Sequence, residues 1–255
     1  MLTKALLKVV EKRTTIPILS TIRVKDGIAT GTDMDFYIHV PAKGVNDNQT
    51  YHTHGFDKGI FISAELPVTD FPDLKEKGDV IGRCTLTAEQ MDAFKWVMLA
   101  QSKEETRYYL NGVYFDKDTI VATDGHRLHS FKHDVQWGRD DEQAPPKKKG
   151  LTKSRKKKAE PAPEPKAEVK PGCILPKKAC ALLVELMKET KAKECSITFH
   201  ENLTFTINVG EAVLEGKLID GTFPDWRRVV PKDDTLKGKT IINSTEIKTI
   251  LRELS

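Results

Sequence analysis

The sequence predicts an α+β fold, with helices lying on one side of antiparallel sheets, and three observations predict it. Amphipathic helical stretches alternate with short β-branched runs, and the order helix, hairpin, Thr-Asp occurs twice along the chain. A Phe-Pro-Asp motif then closes each round, at Phe71-Pro72-Asp73 and at Phe223-Pro224-Asp225.

The first round opens on residues 2–10, where Leu2, Ala5, Leu6, Val9 and Val10 recur at helical spacing. Two strand-like stretches follow, residues 21–24 and 28–33, joined by a Lys25-Asp26-Gly27 turn. The second round opens on a helix near Thr87 with Met91, Phe94, Val97 and Met98 on one side. Residues 112–115, a turn at Asp116-Lys117-Asp118 and residues 119–124 repeat the hairpin. Thr32-Asp33 and Thr123-Asp124 end the second strand of each round.

The rounds are unequal. About 38 residues separate Asp33 from Phe71, against about 60 in the second round once an insertion at 134–172 is set aside. The extra length holds a strong helix over 175–191, with Leu182, Leu183, Leu186 and Met187 on one face, then strands at 196–199, 203–207 and 213–219. After Phe223 a further amphipathic helix is expected from Ser244, its N-cap, to Leu254. The expected domains are therefore 1–80, a shortened first module; 81–231, a second; and 232–255, the opening segment of an incomplete third.

Charge is informative only when dissected. The net charge is +4, and residues 134–172 hold 11 basic and 7 acidic residues, leaving 30 of each elsewhere. Any attraction to a polyanion must come from arrangement, since bulk basicity is absent. The insertion is rich in Lys, Pro, Ala and Glu and has too little apolar content to offset the entropy of ordering, so it is expected to be disordered. Its Lys147–Lys158 run also permits loose phosphate contact.

Four cysteines without CxxC spacing argue against a zinc site and give no disulfide framework. No apolar run has the roughly 18–20 residues a membrane span needs, and Met1-Leu2-Thr3-Lys4 does not read as a signal peptide, so a cytoplasmic location is expected. A nuclease reading would recruit His52-Thr53-His54 with Asp57, or Asp124 with His126, but neither set completes a metal site. No cofactor and no catalytic residue is expected.

Five segments in order resemble the bacterial DNA polymerase III β subunit, the β sliding clamp family. They are residues 15–19 (TIPIL), 30–33 (TGTD), 107–112 (RYYLNG), 121–128 (VATDGHRL) and 217–231 (KLIDGTFPDWRRVVP). The resemblance implies the DNA clamp fold, repeated domains forming a ring with helices lining the hole, and edge strands buried by pairing between subunits. It implies a non-enzymatic processivity factor that encircles duplex DNA and tethers a replicative polymerase. The implied partners are double-stranded DNA, the polymerase, the clamp loader and further copies of the chain in a ring.

Two groups of site residues follow. The lysines at helical spacing, Lys4, Lys8 and Lys12, with Lys177 and Lys178 on the second-round helix, suit sequence-independent phosphate contact. Lys188, Lys191, Lys248 and Arg252 extend the same pattern. By motif alignment the resemblance adds Arg13 as a phosphate ligand and Tyr108 and Tyr109 as stacking or backbone contacts, one of the two expected to be buried by strand alternation. It also implies a pocket for short linear peptides, built from Leu110, Thr123, Gly125, His126, Arg127, Leu128, Pro224, Arg228 and Val229. The alternative is a non-encircling adaptor that binds clamp partners or joins a host clamp.

Overall fold

Short helices set against long-range strand pairing are what these sequence patterns produce. A computed structural model describes residues 4–74, 76–138 and 172–231. The chain divides into a large unit, 1–222, and a small one, 223–255.

In the large unit, α1 (Lys4–Val9) buries Ala5, Leu6 and Val9. It comes so close to the strand behind it that a Cβ at Gly31 would lie 2.8 Å from Val10 Cγ2 and 3.1 Å from Leu6 Cδ1. Only glycine fits there. A 3₁₀ turn at Pro17–Ser20 leads into β1 (Thr21–Lys25), β2 (Ile28–Thr32), β3 (Phe36–Pro41) and β4 (Gln49–His52). The β1–β2 turn has Asp26 at φ 54° and Gly27 at φ 72°, the left-handed pair that lets two residues join twisted strands.

β5 (Val80–Thr87) then leads to α2 (Gln90–Met98). Thr87 and Gln90 cap the helix reciprocally: Thr87 N–H donates to Gln90 Oε1 at 3.0 Å, and Gln90 N–H to Thr87 Oγ1 at 3.3 Å. A 3₁₀ turn at Tyr108–Leu110 precedes β6 (Gly112–Phe115), β7 (Thr119–Thr123) and β8 (Leu128–Lys132). The order helix, 3₁₀ turn, hairpin, third strand thus repeats the first round element by element.

β9 (Gln136–Trp137) pairs with β5 at Gly82 and Arg83. It falls inside the stretch expected to be disordered. Val135 is buried and Trp137 stacks on Phe199 with centroids 5.5 Å apart, so two apolar residues fix a segment that composition alone assigned to the insertion. Residues 139–171, including the Lys147–Lys158 run, lie outside the described residues.

After the insertion come β10 (Cys173–Pro176), α3 (Lys177–Thr190), β11 (Glu194–His200), β12 (Thr204–Val209) and β13 (Ala212–Lys217). One sheet has nine strands in the order β4-β1-β2-β3-β13-β12-β11-β5-β9, and the other four, β10-β6-β7-β8. The first round joins the second at β3·β13, where His39 faces Val213 and Tyr37 faces Glu215. Helices α1 and α2 both pack against α3, which buries Ala179, Cys180, Leu182, Leu183, Leu186 and Met187. Each leucine so buried contributes roughly 1.5–3 kcal/mol.

All four cysteines are free and buried. Burial pushes the Cys180 thiol up to about 12, so it remains a protonated packing group. Among the described residues no helix is long and apolar enough to cross a membrane. The small unit contains a 3₁₀ turn at Trp226–Arg228, with the Arg227 guanidinium 4.4 Å from the Trp226 ring centroid. The expected helix at 244–254, with Lys248 and Arg252, lies outside the described residues.

Candidate nucleic-acid and peptide interface

The lysine pattern survives folding, with a modification. Lys4, Lys8, Lys12, Arg13, Lys177 and Lys178 are all exposed while the apolar positions between them are buried. The C-terminal end of α1 and the start of α3 enclose a groove lined by Lys8, Lys12, Arg13 and Lys178 together with Leu7, Val10 and Glu11. Four of the eight expected DNA contacts therefore meet at one place.

Acidic residues interleave with these cations, which the periodicity did not reveal. Lys8 Nζ lies 2.7 Å from Glu185 Oε2 on α3, and this bond holds the Glu185 carboxyl below its ordinary range. Lys178 pairs with Asp33 at the end of β2. Glu189 accepts from Lys4 N–H at 2.8 Å and from Ala5 N–H at 2.9 Å, capping α1 with a charge that suits its helix dipole. Lys12 and Arg13 form no ion pair among the described residues, so they carry the least compensated charge in the groove.

Tyr108 and Tyr109 sit in the 3₁₀ turn and not on a strand. Tyr108 is 53% exposed, Tyr109 is half-buried, and the rings meet edge-on at 5.8 Å. The strand-alternation expectation fails because Arg107–Asn111 closes a turn: Leu110 N–H donates to Arg107 O and Asn111 N–H to Tyr108 O, both at 2.9 Å. Leu110, the next residue, is the buried one.

Of the expected peptide residues of the large unit, Leu110 is buried in its 3₁₀ turn and Thr123 to Leu128 fall in one turn between β7 and β8. Thr123 Oγ1 donates to Arg127 O at 2.7 Å and accepts from Gly125 N–H at 3.0 Å. Asp124 Oδ1 accepts from the backbone N–H groups of His126 and Arg127, both at 3.0 Å. The turn is closed by its own side chains, leaving Gly125, His126 and Arg127 exposed and Leu128 half-buried at the start of β8. Arg107 lies over this turn: a Cβ at Gly125, whose φ is 90°, would stand 2.7 Å from Arg107 Nη1. Arg107 is held by Glu104 through Nε at 2.8 Å and Nη2 at 2.7 Å. It opens the 107–112 motif but is not among the expected site residues. Pro224, Arg228 and Val229 belong to the small unit, where all three are exposed and Arg228 Nε bonds Asp225 Oδ2 at 2.9 Å.

Among the described residues no group of three or more His, Cys, Asp or Glu side chains is arranged to hold a metal ion.

No protein-family model matches the chain. A β sliding clamp of Caulobacter vibrioides is 29% identical over an alignment covering 96% of this chain and 69% of the relative. One from Vibrio cholerae is 28% identical over 68% of this chain and 40% of that protein. Among solved structures, a β sliding clamp of C. crescentus superposes with a TM-score of 0.66 at 27% identity, covering 92% of this chain and 66% of that one. The DnaN sliding clamp of Bartonella birtlesii, solved bound to griselimycin, gives 0.63 at 26% identity, covering 90% and 65%. The matches span about two thirds of the length of three of these proteins and 40% of the Vibrio cholerae one. Over nine tenths of its residues, in fold and in sequence, this chain is thus similar to bacterial β sliding clamps.

Proposed function

We propose that the chain is a sliding-clamp processivity factor: it holds duplex DNA against the α1–α3–α2 helix layer and tethers a replicative polymerase through the Thr123–Leu128 surface. It is a non-catalytic, cytoplasmic protein whose other partners are a clamp loader and further clamp subunits. One observation carries the reading: the groove at α1 and α3 gathers Lys8, Lys12, Arg13 and Lys178. Lysines and arginines spread over parallel helices offer phosphate contacts without base readout, which suits sliding. The division into modules at 1–80, 81–231 and 232–255 is part of the same proposal, supported by the repeated order of helix, 3₁₀ turn and three strands. In this reading Pro224, Arg228 and Val229 are further peptide-binding residues, and Tyr108, Tyr109, Lys4 and Lys177 extend the DNA contact.

The direct test is retention on nicked circular DNA before and after linearisation. A topological clamp stays on the circle, is lost from the linear form, and loses affinity steeply with salt. Equal loss from both forms overturns encirclement. A second reading, a non-encircling adaptor, is favoured by the outer edge of β4, which the chain closes itself: His52 N–H donates to Ile62 O and Ala64 N–H to Thr50 O, both at 2.9 Å. That edge is occupied, so a ring cannot grow by adding a strand there. Equal loss from both forms with intact polymerase-peptide binding selects the adaptor.

A further inference from the structure

The connection from the first round to the second is a strap laid across the nine-stranded sheet. It lies on the face away from the helices: Arg23, Thr50, Glu215 and His200, which it meets, alternate along their strands with the core residues Ile22, Tyr51, Leu214 and Phe199. At its first end Leu66 N–H donates to Thr50 Oγ1 at 3.2 Å. Phe71 is buried with the Arg23 guanidinium 4.7 Å from its centroid, and Asp73 Oδ1 lies 2.7 Å from Arg23 Nη1. At its second end Lys77 pairs with Glu215 of β13, and Asn202 Nδ2 donates to Glu76 O at 2.6 Å. Glu201 N–H donates to Asp79 O at 2.9 Å, and a Cβ at Gly78 would stand 3.0 Å from Asn202 N.

Under that second end sits His200, the last residue of β11 and only 6% exposed. Its Nδ1 is 3.2 Å from Gly78 O, which can only accept, so Nδ1 carries the ring proton. Its Nε2 is 3.2 Å from Thr206 Oγ1 on β12 and takes the hydroxyl hydrogen. Both nitrogens are thus matched to a neutral ring. Burial holds this imidazole below its ordinary range; the Gly78 carbonyl and Glu215 oppose that, and the charges of Lys77 on the strap and Arg83 on β5 add to it. Glu215 itself stays ionised: burial would push its carboxyl up, but His39 on β3, with Nε2 3.6 Å away, and Lys77 hold it below its ordinary range.

We propose that residues 76–79 form an acid-released strap: a second proton on His200 lifts them from the sheet. The added hydrogen on Nε2 faces the hydroxyl that was donating to it, and the charged ring has Lys77 and Arg83 as neighbours without water. Lifting the strap hydrates the ring and leaves the β11·β12 ladder in place. A released ring takes its proton at about 6.5, the docked ring only at lower pH, so docking is at full strength above 6.5 and weakens as pH falls below it. Because the strap crosses the β3·β13 seam, its release loosens the tie between the two rounds. The inference is independent of DNA binding: a chain that fails the retention test can still release its strap, and the reverse.

Amide protection factors of the full chain, which remove the intrinsic pH dependence of exchange, read the strap through Glu201, whose N–H is held by Asp79 O. Between pH 7.5 and pH 5 that protection should fall about tenfold, while core amides of β12 keep theirs. The His200 imidazole resonances should titrate with the same midpoint. His200→Gln, whose side-chain amide still donates to Gly78 O, should hold protection level across the window, and His39→Gln should keep the wild-type dependence. Constant protection in the wild type, separate midpoints for His200 and Glu201, equal loss along β12, or a pH dependence that vanishes with His39 in place of His200 overturns the proposal.

Discussion

Two turns in the large unit share one hydrogen-bond scheme and differ in everything around it. In Thr32–Phe36, Thr32 Oγ1 donates to Phe36 O at 2.9 Å and accepts from Met34 N–H at 2.8 Å, while Asp33 Oδ1 accepts from Asp35 and Phe36 N–H at 3.1 and 2.8 Å. In Thr123–Arg127 the same four bonds recur at 2.7, 3.0, 3.0 and 3.0 Å. The third residue has positive φ in both, Met34 at 76° and Gly125 at 90°. The first turn is anchored at the β3·β13 seam, with Thr32 and Phe36 buried and Met34 and Asp35 exposed: Asp33 pairs with Lys178, Asp35 Oδ1 bonds Lys217 Nζ at 2.8 Å, and Phe36 packs on Phe205 at 6.3 Å. The second turns its Asp124 onto its own Arg127 at 3.1 Å and leaves His126 and Arg127 to solvent. Local sequence sets the shape of the turn; tertiary surroundings decide whether that shape is packed at a seam or left to solvent.

The sharpest way to break this contrast is to remove both hydroxyls. Thr32 is fully buried, and Thr32→Val leaves the Met34 N–H without its acceptor and the Phe36 C=O with only the Asp33 N–H at 3.3 Å, costing about 2–3 kcal/mol. Thr123 is buried but retains 9% exposure beside the solvent-facing Gly125, so water can reach its bonds and Thr123→Val costs about 1 kcal/mol. Urea denaturation of the two variants measures both. Equal costs would mean that enclosure is irrelevant and the comparison is empty.

The third turn position should give opposite signs. Met34→Gly relieves a side chain from the left-handed region and stabilises by about 0.5–1 kcal/mol. Gly125→Ala imposes that strain and drives Arg107 Nη1 away from a Cβ that would sit 2.7 Å from it, costing about 1–2 kcal/mol. Thermal denaturation of both variants checks the signs. A stabilising Gly125→Ala would remove the argument that Arg107 is seated by the absence of a side chain.

How much of this was legible in sequence follows from range. The Thr-Asp echo was readable because each turn is closed by its own residues, and the Asp26-Gly27 turn because its backbone demands left-handed residues. The burial of Ala5, Leu6, Val9 and Val10 against exposed Lys4 and Lys8 followed from helical period alone. Tyr108 and Tyr109 misled because a 3₁₀ turn next to a strand carries the same apolar residues as the strand. The pairing of β3 with β13, and hence of Lys8 with Glu185 and Lys178 with Asp33, joins residues 145 or more positions apart for which no local pattern exists. Trp137 and Val135 were hidden by the composition of their neighbours.

The smallest effect concerns the open turn's acid dependence. The Asp124 carboxyl lies below its ordinary range because the backbone N–H groups of Arg127 and His126 bond its ionised form, with Arg127's charge adding to this. A carboxyl so depressed contributes stability that is fully present above its unfolded value, about 3.9, and is lost as pH falls through the lower folded value. The group lies in a surface turn and is only partly buried, so global stability changes little and the turn itself is where the loss shows. Backbone amide resonances of His126 and Arg127, followed by NMR from pH 6 to pH 2, should move together with a midpoint below that of an unstructured aspartate. In Asp124→Asn the same resonances should be insensitive to acid across that window. A midpoint at or above the ordinary value would mean that the carboxylate does not hold the turn, and that Thr123 alone presents His126 and Arg127.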